Sequence, residues 1–369
     1  NTGCSDKKNI NRIVLSEYTL KQADTMTNPS GKKSSRIMFA RIVCAMSCML
    51  ILLLSPAAAL NGAAYGLVLW YRTLFPTLMP FMVLSNFIVY TGCAKPIGVL
   101  LAPLTKLLHL PAASGYCILI GFVCGYPMGA YVCGCLNETG TIDDDTAMFL
   151  APVCNNVSPM FMISYICMSC LEDKALSRTV IFLLIGSAFV GMFVLRYWGW
   201  IKNKRERRKI SSPADADGRM GHISRTAVQQ REDTEHRIIE LTTSEALSHS
   251  VENALTASLK LCIYVMLFST AGAMIGNIKI LPDIAKAVLM SLMEITAGLD
   301  KISELNIEYN YKILLMLTAT AFGGMSSVFQ TMSLWSGRRF SVGRYMACKI
   351  CIACITALAV LFLIITGIL

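Results

Sequence analysis

Long runs without Asp, Glu, Lys, Arg or His alternate along the chain with short polar stretches. The runs occupy 42–71, 73–94, 110–137, 146–171, 179–195, 261–278, 313–337 and 350–369, half of the 369 residues. A helix needs about 20 mostly apolar residues to cross a bilayer. Barrel strands instead alternate polar and apolar positions over about 10 residues, and these runs are apolar throughout. The pattern predicts an all-α, polytopic helical membrane protein whose solvent is the lipid bilayer. It excludes a soluble globular enzyme, a secreted disulfide scaffold and a disordered chain.

The punctuation predicts the organisation. Residues 1–36 form a polar leader, expected to be cytoplasmic, and no removable signal peptide is expected because Asn1 to Ser30 are polar. A first membrane half covers 37–200. It opens with a span over 37–54, broken by Ser55-Pro56, since proline disfavours helix in the residue before it. A long apolar element over 57–90 follows, with a kink expected near Phe75–Pro80. Residues 95–109 are short and amphipathic. Runs 110–137 and 146–171 pair through the polar turn Glu138 to Asp145, and 179–198 closes the half. A charged linker over 201–243, in part helical, separates this half from a second one over 244–369, with apolar segments at 254–278, 284–299, 313–336 and 346–369.

Composition and charge sharpen this outline. Only 15% of the residues are charged, against about 25% in soluble domains. The net charge of +10 is concentrated in two places. Residues 1–41 carry eight Lys/Arg against three acids, and 202–240 carry ten against seven. Basic stretches beside membrane segments read as cytoplasmic flanks, so no nucleic acid is expected as partner. Lys202 to Lys209 could also hold anionic lipid. Five crossings before residue 202 would put the two basic stretches on opposite sides. The charge rule demands an even count, met if 95–109 dips into or across the membrane or if one long element is split. The fifteen cysteines lie mostly in apolar runs and read as small hydrophobes, with no metal or cofactor implied.

The two halves share a plan, with glycine-interrupted segments that set Gly121 to Ala130 against Thr318 to Ser327. Paired Gly/Pro-interrupted apolar segments in two halves point to a transporter site, and an odd number of crossings per half would make the halves inverted. Gly125-Tyr126-Pro127-Met128-Gly129 is the sharpest feature. Proline removes a donor and glycine admits unusual backbone angles, so the motif reads either as a broken or re-entrant helix lining a site or as a packing kink. Asn155-Asn156-Val157-Ser158-Pro159 lies in the next run, within hairpin reach. Its amides are costly in hydrocarbon unless they are paired across helices or wet. Glu294 is an apolar-segment carboxylate that could take a proton, bind a cation or accept hydrogen bonds from a substrate; it could also be interfacial. Gly323 and Gly324 form the counterpart break, and Gln330 lies about two turns beyond. These eleven positions are the expected substrate-binding set, with no catalytic residues and no metal ligands.

In combination these motifs resemble the YlbJ family of sporulation integral membrane proteins, within the wider group of nucleoside-recognition Gate-domain proteins. The resemblance rests on Cys124 to Ala130, on Asn155-Asn156-x-Ser158-Pro159-x-Phe161, on Glu294-x-Thr-x-Gly298, and on Phe322-Gly-Gly324 followed by Gln330. It spans roughly 40–369. It departs at Cys124, where the pattern has serine, and in the length of the linker. The resemblance implies a transporter that moves dipicolinate across the outer forespore membrane.

The expected function is therefore a sporulation-associated transporter of a small polar or anionic metabolite. A coupling proton or cation is an expected partner, and a homo-oligomer is one admissible assembly. The alternative is a non-transporting membrane scaffold or assembly factor in sporulation that docks partners through the linker. An enzyme is not expected: there is no nucleophile–His–acid set, no His-Glu-x-x-His, no pair of intramembrane aspartates and no P-loop.

Overall fold

The computed structural model describes residues 52–210, 242–335 and 340–367, with isolated positions between 38 and 50; of 200–210 it describes the backbone. The expected leader and positions 211–241 of the expected linker lie outside the described residues. Residues up to Ala57 form one compact unit and Ala58–Leu369 another. The second unit carries everything that follows.

Its first half begins with α1 (Pro56–Leu69), which passes through a π-turn (Trp70–Leu74) into α2 (Phe75–Tyr90). The two parts meet at 58°, next to Pro76 and the helix-internal Pro80, so the expected kink is present. Two short helices, α3 (Ala94–Gly98) and α4 (Ala102–Leu107), follow. Six residues rise only about 9 Å, so α4 does not cross. The Arg196 guanidinium holds this segment by donating to the carbonyls of Leu108 and His109 at 2.8 and 2.9 Å.

Helices α5 (Ser114–Val123) and α6 (Met128–Glu138) have 10 and 11 residues. Each is about 15 Å long, half of the hydrocarbon thickness. They fold back on each other. A Cβ on Gly129 would lie 2.8 Å from the Gly121 Cα, whereas eight residues of continuous helix would separate them by about 12 Å. Run 110–137 is therefore a re-entrant hairpin that enters and leaves on one side. Next come α7 (Asp144–Cys154) and α8 (Pro159–Phe161), the latter continued by a π-helix (Met162–Cys170). Together they make one broken span over Asp144–Cys170. The long helix α9 (Ser177–Ile210) closes the half. It carries the helix through the first ten residues of the expected linker.

The second half repeats the plan. Helix α10 (Thr243–Gly276) is a long span opened by a capping box in which Thr242 and Glu245 exchange hydrogen bonds. Helices α11 (Asp283–Met293) and α12 (Ile295–Ser303) form a second re-entrant hairpin, closed so tightly that a Cβ on Gly298 would lie 2.1 Å from the Ser291 Cα. Helices α13 (Tyr309–Phe322) and α14 (Gly324–Leu334) make the second broken span, and α15 (Val342–Ile365) the last helix. The protein is thus an all-α polytopic membrane protein. Five described helices are long and apolar enough to cross, six with the bent α1–α2 pair.

Each half contributes three crossings and one hairpin. Three is odd, so the halves run in opposite directions, with one hairpin entering from the linker side and the other from the far side. Two expectations need correction. Removing 110–137 from the five predicted crossings leaves four, the even number that the charge rule demands, without any passage by 95–109. And the counterpart of the Gly125–Pro127 break is not the Gly323–Gly324 break. The first hairpin corresponds to the second hairpin, with Glu294 at its turn, and the Asn155–Ser158 break corresponds to Gly323.

The matching elements also pack together. Gly62 and Gly66 let α1 approach the α10 backbone, with would-be Cβ atoms 2.6 Å from Thr270 Cα and 2.8 Å from Met266 Cα. This is the close small-residue packing of membrane helices. Gly191 on α9 lies against Ile352 of α15 in the same way.

Candidate functional site

Each hairpin turn rests on the break of the span that follows it. In the first half, Gly125 has a φ of +80°, which only glycine adopts at little cost, and its would-be Cβ lies 2.5 Å from the Ser158 nitrogen. The Tyr126 N–H donates to the Asn156 carbonyl. Ser158 caps α8 by accepting from the Phe161 N–H at 3.3 Å, and Pro159 follows at the first helical position, where its missing donor does no harm. In the second half, Glu294 is extended and caps α12, its carboxylate accepting from the Ala297 N–H at 2.9 Å. Gly323, with φ +86°, ends α13 in the left-handed conformation. The would-be Cβ of Gly324 lies 3.2 Å from the Ser291 carbonyl and 3.4 Å from that of Met293.

The two half-sites are joined through Asn155, of which 1% is exposed. Its amide nitrogen donates to Thr331 Oγ1 at 3.1 Å and to the Tyr345 hydroxyl. Its Oδ1 has no hydrogen-bond partner among the described residues. Its backbone carbonyl accepts from the Lys349 ammonium at 2.8 Å. Lys349 itself lies near the other break, its Cε 3.9 Å from the would-be Cβ of Gly323. Tyr126 packs against the apolar cluster that contains Ile295 and Phe322, so the first hairpin also faces the second half.

The structure therefore brings Gly125, Tyr126, Asn156 and Ser158 together at one break, and places Glu294 and Gly324 at the other. Pro127 adjoins the first turn and leads into α6. Asn155 and Gly323 are connected through Lys349. Two expected residues do other work. Gly129 lies one turn into α6, where its would-be Cβ is 2.1 Å from the Cys154 carbonyl; it is a packing glycine, as is Gly121 at 2.2 Å from the same atom. Gln330 is buried, but its amide turns back to Ser326 Oγ of its own helix at 2.7 Å. The Asn156 amide likewise makes a local bond, to the Val153 carbonyl at 2.6 Å.

Lys349, Tyr345 and Thr331 are absent from the expected set. Lys349 stands at the edge of an apolar run, a few residues beyond Arg338, Arg339 and Arg344, and reads in sequence as part of a basic flank. Its distinguishing signal is helical phase. Lys349 shares a face with Tyr345, Ile352, Ala353 and Thr356, all of them buried, so its side chain points into the protein. Only 1% of Lys349 is exposed, and no acid lies within ion-pair distance of it among the described residues. Burying an unpaired ion costs several kcal/mol, and one charged hydrogen bond returns about 1.5–3 kcal/mol. Capping the end of α7 thus offsets only part of the cost. Among the described residues, an apolar hollow of about 430 Å³ also exists, lined by residues such as Met79, Val83, Phe87 and Leu247. It shares nothing with the breaks and offers no side-chain polar group except the hydroxyl of Thr243.

The sporulation integral membrane protein YlbJ of Bacillus subtilis (strain 168) is 24% identical to this chain over 300 residues, 76% of the chain and 71% of the relative. The chain is a relative of YlbJ. This is the family that the break motifs resemble, and likeness over three quarters of the chain means that it does not rest on those motifs alone. No family model matches this YlbJ relative, and no solved structure matches it.

Proposed function

We propose that the protein is a secondary transporter that moves a small polar or anionic metabolite across a membrane during sporulation. One observation carries the reading: two re-entrant turns each meet a broken span, and the pairs are joined by buried polar side chains. Irregular backbone at membrane depth persists only where protein or a polar cavity satisfies it. Discontinuous helices in inverted halves are the usual construction of a mid-membrane substrate site. A membrane scaffold needs none of these groups. The N-terminal ends of α6 and α14 supply backbone donors suited to an anion. Resemblance to the YlbJ family makes dipicolinate the substrate and the outer forespore membrane the location. Glu294 is the coupling group in this reading, through a proton or a cation. The partners are the solute, that ion and the bilayer, with no catalytic residue, cofactor or nucleic acid, and a homo-oligomer is admitted.

Uptake of labelled dipicolinate into proteoliposomes, with and without an imposed proton or sodium gradient, tests the reading. Saturable uptake above empty liposomes is expected. If neither dipicolinate nor any other small polar solute enters, the transport reading fails.

A further inference from the structure

We infer that Lys349 selects the charge of the solute by anchoring a carboxylate between the two helix breaks. This rests on the transport reading and names the substrate class for it.

Three observations converge on the same place. The Lys349 ammonium joins the Asn155 carbonyl at one break and lies beside Gly323 at the other. Helix α14, of 11 residues, opens there at Gly324 without a side-chain cap, so its first-turn N–H groups and the positive end of its dipole face the lysine side of the break. A cation beside a helix N-terminus is an unfavourable pairing, and an anion between them turns both into attractions. Independently, Asn155 is almost wholly buried with Oδ1 unpartnered, an acceptor left for a donor on the solute.

The other charges nearby are already engaged. Glu294 gives its carboxylate to the α12 N-terminus. Arg344, on the same helix as Lys349, reaches outward to Asp145 at 3.2 Å, with both side chains exposed. Lys349 is therefore the cation left at the centre among the described residues. A carboxylate there accepts from the ammonium and from the first turn of α14. A neutral solute of the same shape leaves the ammonium unmatched.

Binding of two probes to the purified full-length protein tests this: pyridine-2,6-dicarboxylate and its uncharged diamide. The wild type is expected to bind the dicarboxylate at least tenfold more tightly. Lys349→Gln keeps a donor for the Asn155 carbonyl, so its melting temperature should stay within a few degrees. Its dicarboxylate affinity should fall at least tenfold, with diamide affinity unchanged, and Lys349→Arg should recover part of the preference. If Lys349→Gln retains the preference, or loses stability and both probes together, Lys349 only caps α7 and the inference is overturned. A wild type that binds neither probe, or does not distinguish them, also overturns it, whereas the transport reading stands as long as proteoliposomes take up another polar solute.

Discussion

The Tyr165 hydroxyl donates to the Asp300 carboxylate at 2.6 Å, tying the π-helical far half of the first broken span to the second hairpin. Tyr165 also reaches the Thr296 carbonyl at 3.1 Å, and Tyr65 of α1 donates to the second oxygen of Asp300 at 3.2 Å. Three elements are thus joined at one carboxylate. A charge-assisted bond in a half-buried setting contributes about 1–3 kcal/mol. Tyr165→Phe and Asp300→Asn are expected to destabilise singly by about that amount and non-additively together. Thermal or denaturant unfolding of the four proteins measures the coupling, and strict additivity would show that the two residues do not interact.

The neighbouring asparagines should behave differently. Asn155→Leu removes two donors between halves, at Thr331 and Tyr345, and is expected to cost about 1–2 kcal/mol as well as uptake. Asn156→Leu removes only a local bond to Val153. It should leave stability within about 1 kcal/mol of wild type while abolishing uptake. Uptake and melting temperature measured on the same preparations separate the effects; normal uptake in both variants would remove the asparagines from the site.

Glycine substitutions probe the hairpin. Gly129→Ala sets a methyl group 2.1 Å from the Cys154 carbonyl, a backbone atom that cannot swing aside, whereas a Cβ on Gly186 meets nothing within 4 Å. Gly129→Ala is expected to cost about 1–3 kcal/mol or more. Gly186→Ala should be neutral or stabilising by up to about 1 kcal/mol. Yield of monodisperse protein and melting temperature report both, and equal behaviour would contradict the packing of α6 on α7.

Inverted halves place the turn between Gly140 and Thr141 on the linker side and the turn near Lys279 on the far side. Epitopes inserted at these two turns should be reached by antibody from opposite faces, one in intact cells and the other only after permeabilisation. Access to both from one face would refute the hairpin assignment of 110–137.

Deleting 212–235, a polar stretch outside the described residues, should leave membrane insertion and uptake intact. Loss of uptake at normal protein level would favour the docking role of a scaffold.

The sequence by itself determined the solvent and the places where helices fail. Apolar length depends on bilayer thickness alone, so the long helices follow from composition. Gly125, Pro127, Ser158, Pro159 and Gly323 interrupt a helix for local reasons, through φ, a missing N–H or a cap, and local reasons can be read along a chain. What an apolar run does after such an interruption is not local. Residues 110–137 are long enough to cross, yet they fold back, because Gly121 and Gly129 admit the Cys154 carbonyl between α5 and α6. That contact comes from a helix whose position no spacing encodes. The pairing of breaks was misread for the same reason: glycine content likens Gly125 to Gly323, but the order of hairpin and span sets Gly125 against Glu294. Lys349 lies at the opposite end of the chain from Asn155 in sequence and 2.8 Å from it in space. In sequence its charge merges with Arg338, Arg339 and Arg344. Only the tertiary structure turns it inward, because the buried face of α15 has no water to which the side chain could return.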